Sequence, residues 1–490
     1  MTTLLDAELA KYDNFTDIEW VEWLRENPPD LIRFPLTDHG NARRMHAAHG
    51  RAFRYVSERD KWIKWNGNNW EFDESAELQQ RFIDTMNLAV DQFAKLPTPD
   101  EPEEKKRHEG IGQFLAKNGN KDRITNALHL LRWIPGMMLK MEHLDANPLA
   151  IGTPSGTINL QTGEAETSTM TAYITKRVAV DYNPRATCPR WDQFLVEITP
   201  NHPELISYLQ RAVGYSLTGS VKEECLFFLS GEGQNGKGTF VETIQRLLLD
   251  YSKTASMSLF IKDPHGNSSG NYDIASIAGK RFVSASELEE GAHWDETKIK
   301  SITGGDTINA RQIYEAPFDF QPQHKLWVSG NRKPLVKGTD HGIWRRLKLI
   351  QFNADFRNTK NDPNLKATLL TELPGIMRWA VQGALEWQRI GLFQPACVTQ
   401  WTEEYKRDED TLGQFISDRL VACEGGRVPF RAVYQGYEEW AEANGIKEKF
   451  RLSMIALSKK IRSRGMDMEK TMAGQVVVGW ALSDYGNSEG

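Results

Sequence analysis

The sequence predicts an α/β protein whose central core lies between an α+β N-terminal domain and a C-terminal domain of winged-helix type. Three observations predict this arrangement. A glycine-rich stretch, 231–238, separates an apolar run from an amphipathic helical pattern in mid-chain. Residues 53–72 alternate polar and apolar side chains around an Asn66-Gly67 turn, which is typical of a β-hairpin. Residues 415–482 show three helical segments followed by a β-pair.

Length and composition bound the class of protein. A chain of 490 residues predicts two to four domains, and the segment around Tyr182-Asn183-Pro184 and Cys188-Pro189 is typical of a boundary. We predict domains at 1–195, 196–392 and 393–490. A hydrophobic content of 40% and a charged content of 26% are those of a globular protein that functions in water.

Charge and cysteine usage exclude some classes of function. The formal net charge of −6 argues against a protein that coats DNA generally, although DNA in a locally basic channel stays possible. The four cysteines contain no C-x₂-C pair and predict neither a disulfide framework nor a zinc ribbon. No apolar run is long enough to span a membrane, and Met1 to Lys11 lack the features of a signal peptide. We therefore expect a cytoplasmic protein without a membrane partner.

The glycine-rich stretch has the spacing of a phosphate-binding loop, G-x-x-x-x-G-K. Its glycines let backbone N–H groups turn toward an anion, and the following helix adds a partial positive charge. Lys237 is expected to reach the terminal phosphates of a nucleotide. A plain strand–helix turn is the alternative. The predicted nucleotide-binding residues are Gly231, Gly233, Asn235, Gly236, Lys237, Gly238 and Thr239.

One position departs from this pattern. The hydroxyl that normally binds Mg²⁺ directly follows the lysine, and here that residue is Gly238. Thr239 is next along the chain. Either the loop turns enough for Thr239 to reach the metal ion, or a water molecule takes that ligand position.

A second strand must bring a carboxylate beside the loop to hold Mg²⁺ or polarise the attacking water. Residues 279–287 predict a short strand that ends at Glu287, which is therefore the predicted acid and metal ligand. Glu289 and Glu290 are the substitutes if the register differs.

Two later segments offer further catalytic side chains. Residues 325–329 predict a strand, and Asn331 behind it can orient the water that attacks the γ-phosphate. Arg345 and Arg346 precede Leu347, and an arginine on a rigid edge can stabilise transition-state charge, often in a neighbouring subunit's site. An ordinary surface role is the alternative for both arginines.

Two predictions concern secondary structure alone. Pro97 to Glu109 is rich in proline and in charge of both signs, which favours an exposed connection. Asp192 to Leu217 has a helical pattern that leads toward the phosphate loop.

Together these motifs resemble the superfamily 3 helicases, most of all the helicase half of phage- and plasmid-type primase–helicases, which have poxvirus relatives. The resemblance covers most of the chain. It implies an AAA+-type P-loop motor that assembles as a ring, usually a hexamer. Such a motor hydrolyses ATP with Mg²⁺ at subunit interfaces and moves along single-stranded DNA, typically 3′ to 5′. The matching segments are 36–43, 62–70, 157–160, 214–219, 231–237, 286–287, 303–306, 311, 331 and 344–347.

The resemblance also implies roles for single residues. The segment between the acid and Asn331 matches the region that supplies the pore hairpin, so Lys300, Arg311 and Tyr314 are the predicted DNA contacts. The other implied roles are phosphate contact for Lys237, metal-ligand hydroxyl for Thr239, acid for Glu287, sensor for Asn331, and trans-acting arginine for Arg346 with Arg345 as runner-up.

We find no strand-borne Asp-x-Asp, so we expect a helicase without its own primase. Its expected partners are single-stranded and forked DNA and a separate primase or replication-initiation protein, in replication of a phage, plasmid or other mobile element. Three interpretations of the basic residues after 446 stay open: duplex DNA binding, a solvated surface, and docking onto a primase. Two alternative functions stay open: an ATP-dependent origin-binding or loading factor that does not unwind DNA, and a P-loop nucleotide kinase.

Overall fold

The structure is a computed structural model. It describes residues 19, 22–23, 26–200, 202–262, 270–286, 291–311, 317–336, 341–357, 362–446, 448, 451–472 and 474–483. The chain divides into two compact units. The first runs to Pro334 and includes Arg345–Val398, and the second comprises Leu335–Trp344 and the chain from Thr399 onward. The boundaries of the three predicted domains stay predictions.

The first unit begins with an α+β region. Its elements are α1 (Asp38–His49), β1 (Phe53–Val56), β2 (Lys61–Trp65), β3 (Trp70–Phe72), α2 (Glu77–Ala94), α3 (Pro102–Ala116), α4 (Lys121–Leu131) and β4 (Met138–Leu139). The strands form one sheet in the order β3-β2-β1-β4. Gly67 in the β2–β3 turn has φ 99°, and Trp65 and Trp70 are buried. The predicted hairpin is confirmed, and tryptophans on either side of its turn lie in the core.

The predicted connection at Pro97 to Glu109 is wrong, because α3 begins within it. Pro102 lies in the first turn of this helix, where its missing N–H costs nothing. Glu103 and Glu104 follow in the same turn and complement the helix dipole. The features that suggest a loop here are those of a helix N-terminus.

A three-stranded antiparallel sheet and two helices precede the central sheet. They are β5 (Ala150–Thr153), β6 (Gly156–Asn159), β7 (Glu164–Glu166), α5 (Pro189–Ile198) and α6 (Pro203–Leu217). The helical pattern predicted from Asp192 thus corresponds to two helices rather than one. Pro203 opens the second helix, since its ring cannot continue a preceding one.

The central sheet is built from β8 (Leu226–Ser230), β9 (Ser252–Thr254), β10 (Phe282–Ala285), β13 (Lys325–Gly330) and β14 (Leu347–Gln351). These five strands are parallel and lie in the order β14-β8-β13-β10-β9. The same segment of chain contains α7 (Lys237–Leu248), α8 (Gly270–Ser276), α9 (Glu296–Thr303), β11 (Ile308–Ala310), β12 (Phe318–Phe320), α10 (His341–Trp344), α11 (Leu365–Thr371) and α12 (Leu373–Ile390). Every residue of β8 is buried, as expected for a strand covered on both faces. Phe227 and Trp327 stack in this core, with ring centroids 4.3 Å apart. The fold is therefore mixed α/β with a parallel sheet, as the sequence predicts in outline.

The second unit contains helices around a three-stranded antiparallel sheet. After α13 (Ala396–Glu409), which begins in the first unit, come α14 (Thr411–Arg419), β15 (Leu420–Pro429), α15 (Phe430–Ala443), α16 (Met454–Ser463), β16 (Met468–Thr471) and β17 (Gly474–Leu482). The predicted helices and terminal β-pair are confirmed. Sequence analysis missed β15, which pairs with β17 across a register shift between Ala422 and Arg427 and exposes most of its residues. Within the described residues, no helix combines the length and apolar character needed to cross a membrane.

Candidate nucleotide-binding site

The phosphate loop lies at the carboxyl end of the central strand. β8 ends at Ser230 and α7 begins at Lys237, so the predicted strand–loop–helix order is present. Gly233, Gln234 and Gly236 have φ values of 98°, 46° and 87°. Loop residues with positive φ can direct neighbouring N–H groups to one concave side, which suits an anion.

Two loop positions require glycine for steric reasons. A Cβ on Gly231 would lie 2.1 Å from Nδ2 of Asn235, and a Cβ on Gly236 would lie 2.4 Å from Cγ2 of Ile198. A Cβ on Gly238 would meet open space instead. The glycine that departs from the usual loop pattern thus has no packing requirement.

Lys237 is buried and binds three neutral oxygen atoms. Its Nζ donates to O of Gly231 at 2.7 Å, to Oδ1 of Asn235 at 3.0 Å and to Oδ1 of Asn331 at 3.4 Å. Burial lowers the pKa of Lys237 to about 8. None of these three acceptors neutralises the ammonium charge, so a phosphate brought into the loop would interact strongly with it.

Asn331 reaches Lys237 because its strand is the neighbour of β8. β13 pairs in parallel with β8, with Gly330 opposite Ser230, so Asn331 emerges beside the start of the loop. The predicted acid belongs instead to the segment that follows β10. β10 pairs with β13 and lies one strand farther away, since the chain forms α9 and the β11–β12 pair before β13 inserts between β8 and β10. Glu287, Glu289 and Glu290 lie outside the described residues.

A cavity of about 550 Å³ adjoins the loop. This volume lies in the range of pockets that hold small organic ligands. Its wall combines loop and helix residues with apolar and charged side chains: Gln234, Gly236, Thr239, Phe194, Phe356, Pro363, Leu365, Arg190, Glu197, Asp362 and Lys366. Thr239 therefore faces the cavity, whereas its neighbour Gly238 is exposed. The loop and the cavity form one continuous candidate site.

Sequence analysis missed the apolar side of this cavity. Phe194 lies on α5 and Phe356 follows β14, so both are far from the loop in sequence. Hydrogen bonds fix the second segment: N of Phe352 donates to O of Ser230 at 2.8 Å, and N of Phe356 donates to O of Gln234 at 3.0 Å. No local signal in the sequence marks these aromatic residues as part of a site, because only the sheet order brings them together.

Arg345 and Arg346 lie at the opposite edge of the sheet from the loop. They precede β14, whose first residue, Leu347, pairs with Leu226, whereas the loop follows Ser230 at the other end of β8. A strand rises about 3.3 Å per residue, so the two ends are roughly 15 Å apart. Neither arginine is thus positioned to reach the phosphate loop of its own subunit.

The two arginines share one carboxylate but differ in exposure. Oε2 of Glu224 lies 2.8 Å from Nη2 of Arg346 and 2.9 Å from Nη2 of Arg345. Nε of Arg346 also donates to Oγ1 of Thr303 at 3.0 Å. The Arg346 side chain is 10% exposed and that of Arg345 is 65% exposed. Arg346 is thereby held within the fold, and Arg345 extends toward solvent.

The segment of chain that holds the predicted DNA-contact residues includes a pair of antiparallel strands. β11 and β12 pair antiparallel, with Ile308 opposite Phe320. Arg311 directly follows β11 and is exposed, whereas Lys300 lies on α9 and is half-buried. Tyr314 lies outside the described residues.

Three protein-family models match the chain. A model described as D5 N terminal like matches residues 42–200, and one described as Poxvirus D5 protein-like matches residues 407–464. A family of unknown function matches residues 229–346, which contain the phosphate loop, Asn331 and both arginines.

Proteins of large DNA viruses are similar to the chain. "Putative helicase L207/L206" of Acanthamoeba polyphaga mimivirus is 28% identical over 330 residues, which cover 62% of this chain and 34% of that protein. "Putative primase C962R" of African swine fever virus is 23% identical over 339 residues, with the same two coverages. The chain thus spans about a third of the length of these relatives. The predicted absence of a primase therefore stays a prediction.

A solved structure, the apo form of the NrS-1 C-terminal region, is similar to the chain with a TM-score of 0.45 and 9% identity. The similarity covers 88% of this chain and 96% of that one. The two D5 family matches and the names of the viral relatives together support a place for this chain in the D5-type primase–helicase family.

Proposed function

We propose that this chain is the ATP-driven motor of a ring-forming DNA helicase that moves 3′ to 5′ along single-stranded DNA during replication. The observation that carries the proposal is the position of Lys237. It lies between the phosphate loop and Asn331, at the carboxyl ends of adjacent parallel strands and beside a cavity of about 550 Å³. Ligands of parallel α/β sheets bind at this edge.

The loop suits ATP in both shape and charge. Gly231 and Gly236 let the loop pack closely against Asn235 and Ile198, and Lys237 supplies positive charge. The apolar side of the cavity, with Phe194, Phe356 and Leu365, suits the nucleoside. Mg²⁺ would neutralise phosphate charge, with Thr239 and Glu287 as its proposed protein ligands. Asn331 would orient the attacking water while it fixes the Lys237 ammonium.

The arginine positions support hydrolysis between subunits. Arg345 and Arg346 lie too far along the sheet to act on the phosphate loop of their own subunit. An arginine that acts in a neighbour's site requires an assembly, and a ring supplies the same interface to every subunit. The greater exposure of Arg345 favours it as the residue that crosses the interface, with Arg346 as its support.

The β11–β12 hairpin is the proposed DNA-contact element. Exposed Arg311 lies at its end, where phosphate contacts would contribute affinity without base specificity. Arg311→Ala should weaken single-stranded DNA binding and lower the slope of log affinity against log salt by about one. Fluorescence anisotropy over a salt series measures both quantities, and an unchanged slope would remove Arg311 from the DNA path.

Names of the relatives support a helicase- or primase-type role in DNA replication. The relatives come from large DNA viruses. We propose that the chain works as a hexamer, with a separate primase, in replication of a phage, plasmid or other mobile element.

Strand displacement tests the proposal against its alternatives. A partial duplex with a 3′ single-stranded tail and one with a 5′ tail would be incubated with the full chain, ATP and Mg²⁺. We expect strand displacement from the 3′-tailed duplex. Lys237→Ala should lose this activity, whereas Lys253→Ala, which changes an exposed lysine on β9, should keep it. DNA binding and ATP binding without displacement would point to a loading factor instead.

A further inference from the structure

Three different metal-ligating side chains meet away from the nucleotide site. They are His202, Glu204 and Cys397, whose donor atoms all lie within 4.8 Å of one another. His202 immediately precedes α6 and Glu204 lies in its first turn, whereas Cys397 is the second residue of α13. Residues from two separate helices therefore converge on one point.

The donor set identifies the class of ion. A thiolate and an imidazole favour Zn²⁺ over Mg²⁺ or Ca²⁺, and a carboxylate commonly completes such sets. The thiolate and the carboxylate together carry two negative charges, which balance a divalent cation. We propose that His202, Glu204 and Cys397 bind a zinc-class divalent ion that fastens the start of α13 to the start of α6.

The existing contacts place the ligands close to a binding geometry. Nδ1 of His202 lies 3.2 Å from Oε1 of Glu204. Tetrahedral zinc bonds of 2.0–2.3 Å place ligand atoms roughly 3.5 Å apart, so the set must close by about 1 Å. The side chains of His202 and Glu204 are 32% and 46% exposed, which leaves them room to rotate. Cys397 is buried and supplies a fixed point.

Backbone contacts support both sides of the site. N of His202 donates to O of Thr199 at 3.2 Å, and N of Leu205 donates to O of His202 at 3.0 Å. Two turns beyond Glu204 on α6, Arg211 donates to O of Leu392 at 2.9 Å. The segment that leads to Cys397 is thus already anchored on α6, and little ordering is needed when the ion binds.

A nucleophilic role for the same residues is less favourable. Burial and the hydrogen bond to Glu204 raise the pKa of the Cys397 thiol to about 11. The thiol therefore stays protonated near neutral pH, whereas a nucleophilic cysteine must be a thiolate. A bound zinc ion changes this: the Zn–S bond forms as the thiol proton leaves to solvent.

Cobalt(II) is the probe that tests the site, because a cobalt–thiolate bond gives a charge-transfer absorption band. The full chain, without a histidine tag and treated with chelator, would be titrated with Co²⁺ and then with Zn²⁺ as competitor. We expect one Co²⁺ per chain, displaced by one Zn²⁺. Cys397→Ser should abolish the band, and His202→Ala should weaken cobalt binding at least about tenfold.

Matched variants separate this site from other thiols and histidines. Cys423→Ser and His39→Ala change exposed residues of the same types and should leave the titration unchanged. Glu204→Gln changes an exposed side chain and should weaken cobalt binding while keeping the charge-transfer band. This variant tests the site even if Cys397→Ser fails to fold. Absence of saturable cobalt binding, or a band lost in Cys423→Ser, would overturn the proposal. Lys237→Ala should bind cobalt normally, because this site is independent of the proposed ATPase.

Discussion

The ammonium group of Lys237 lies 3.4 Å from the side-chain oxygen of Asn331, although 94 residues separate them in sequence. Under the proposed function, a terminal phosphate bound by Lys237 would therefore lie close to the amide of Asn331. An amide can accept from lysine without neutralising it, whereas a carboxylate there would compete with the nucleotide.

Asn331→Asp and Asn331→Ala should consequently differ. A carboxylate 3.4 Å from Lys237 attracts its charge by several kcal/mol even at an effective dielectric of 20, and Asn331 is exposed, which reduces the effect. We expect Asn331→Asp to bind ATP at least about tenfold more weakly than Asn331→Ala, and both variants to lose turnover. Calorimetric titration with a non-hydrolysable ATP analogue measures the difference; equal affinities would show that Asn331 does not face the phosphate.

Two glycines of the loop provide a matched pair of substitutions. Gly231→Ala places a Cβ 2.1 Å from Asn235 and 2.5 Å from O of Phe352, so the loop must move. Displacement of this kind can cost about 100-fold in hydrolysis. Gly238→Ala meets open space in the first turn of α7, so it should keep hydrolysis and stabilise the fold by about 0.5–1 kcal/mol. ATPase assays and thermal unfolding of both variants check this, and loss of activity in Gly238→Ala would contradict it.

Arg345 and Arg346 should separate turnover from stability. Arg345→Ala removes an exposed side chain and should lower turnover on the order of 10³-fold with little change in the unfolding temperature. Arg346→Ala leaves Thr303 and Glu224 without this partner, so it should lower both turnover and the unfolding temperature.

Mixed assemblies test whether the arginine of one subunit acts in the nucleotide site of its neighbour. Lys237→Ala subunits lack a working phosphate loop, and Arg345→Ala subunits lack the arginine that would act in the neighbouring site. When the two variants are mixed, some interfaces combine an intact loop with an intact arginine, so activity should return in part. No recovery at any mixing ratio would count against action between subunits.

The lowered pKa of Lys237, about 8, predicts a pH dependence of nucleotide binding. Phosphate prefers the charged lysine, so affinity should be level below pH 8 and fall above it by up to about tenfold per pH unit. Lys237→Arg is the control, because its guanidinium stays charged and should remove the fall. A fall of equal steepness in the arginine variant would assign the pH dependence to another group.

The lowered pKa of Lys237 also makes the free energy of unfolding depend on pH, in the direction opposite to that of nucleotide binding. The folded-state pKa lies below the ordinary lysine value of 10.5, so the unfolded chain binds more protons between pH 8 and 10.5. The contribution of Lys237 to the free energy of unfolding therefore rises with pH across that window. The free energy of unfolding, measured against pH, should rise more steeply in the wild-type chain than in Lys237→Ala, because burial also lowers the pKa of Lys325 and Lys280, which contribute equally in both.

Local patterns in the sequence predicted the elements of the fold better than their arrangement. The apolar run before Gly231 predicted β8, and Asn66-Gly67 predicted the hairpin, because each signal lies within a few residues. Strand order is set by long-range packing, so the insertion of β13 beside β8 was not predicted. For the same reason, Phe194 and Phe356 were missed as cavity residues.

Side-chain environments also lay beyond the sequence. Arg346 and Arg345 are adjacent and chemically identical, and both bind Glu224, but Arg346 also donates to Thr303 on α9. His202, Glu204 and Cys397 were not predicted as a group, since 193 residues separate Glu204 from Cys397. Spacing rules for metal sites detect ligands that are close along the chain, and these ligands converge only in the fold.

The most direct measurement is ATP hydrolysis by the purified chain with and without single-stranded DNA, with its mass determined in the same buffers. A ring-forming helicase motor predicts strong stimulation by DNA from an assembly of ring size, with both lost in parallel as the assembly dissociates. Hydrolysis by a monomer that is indifferent to DNA would contradict the account and favour a nucleotide kinase.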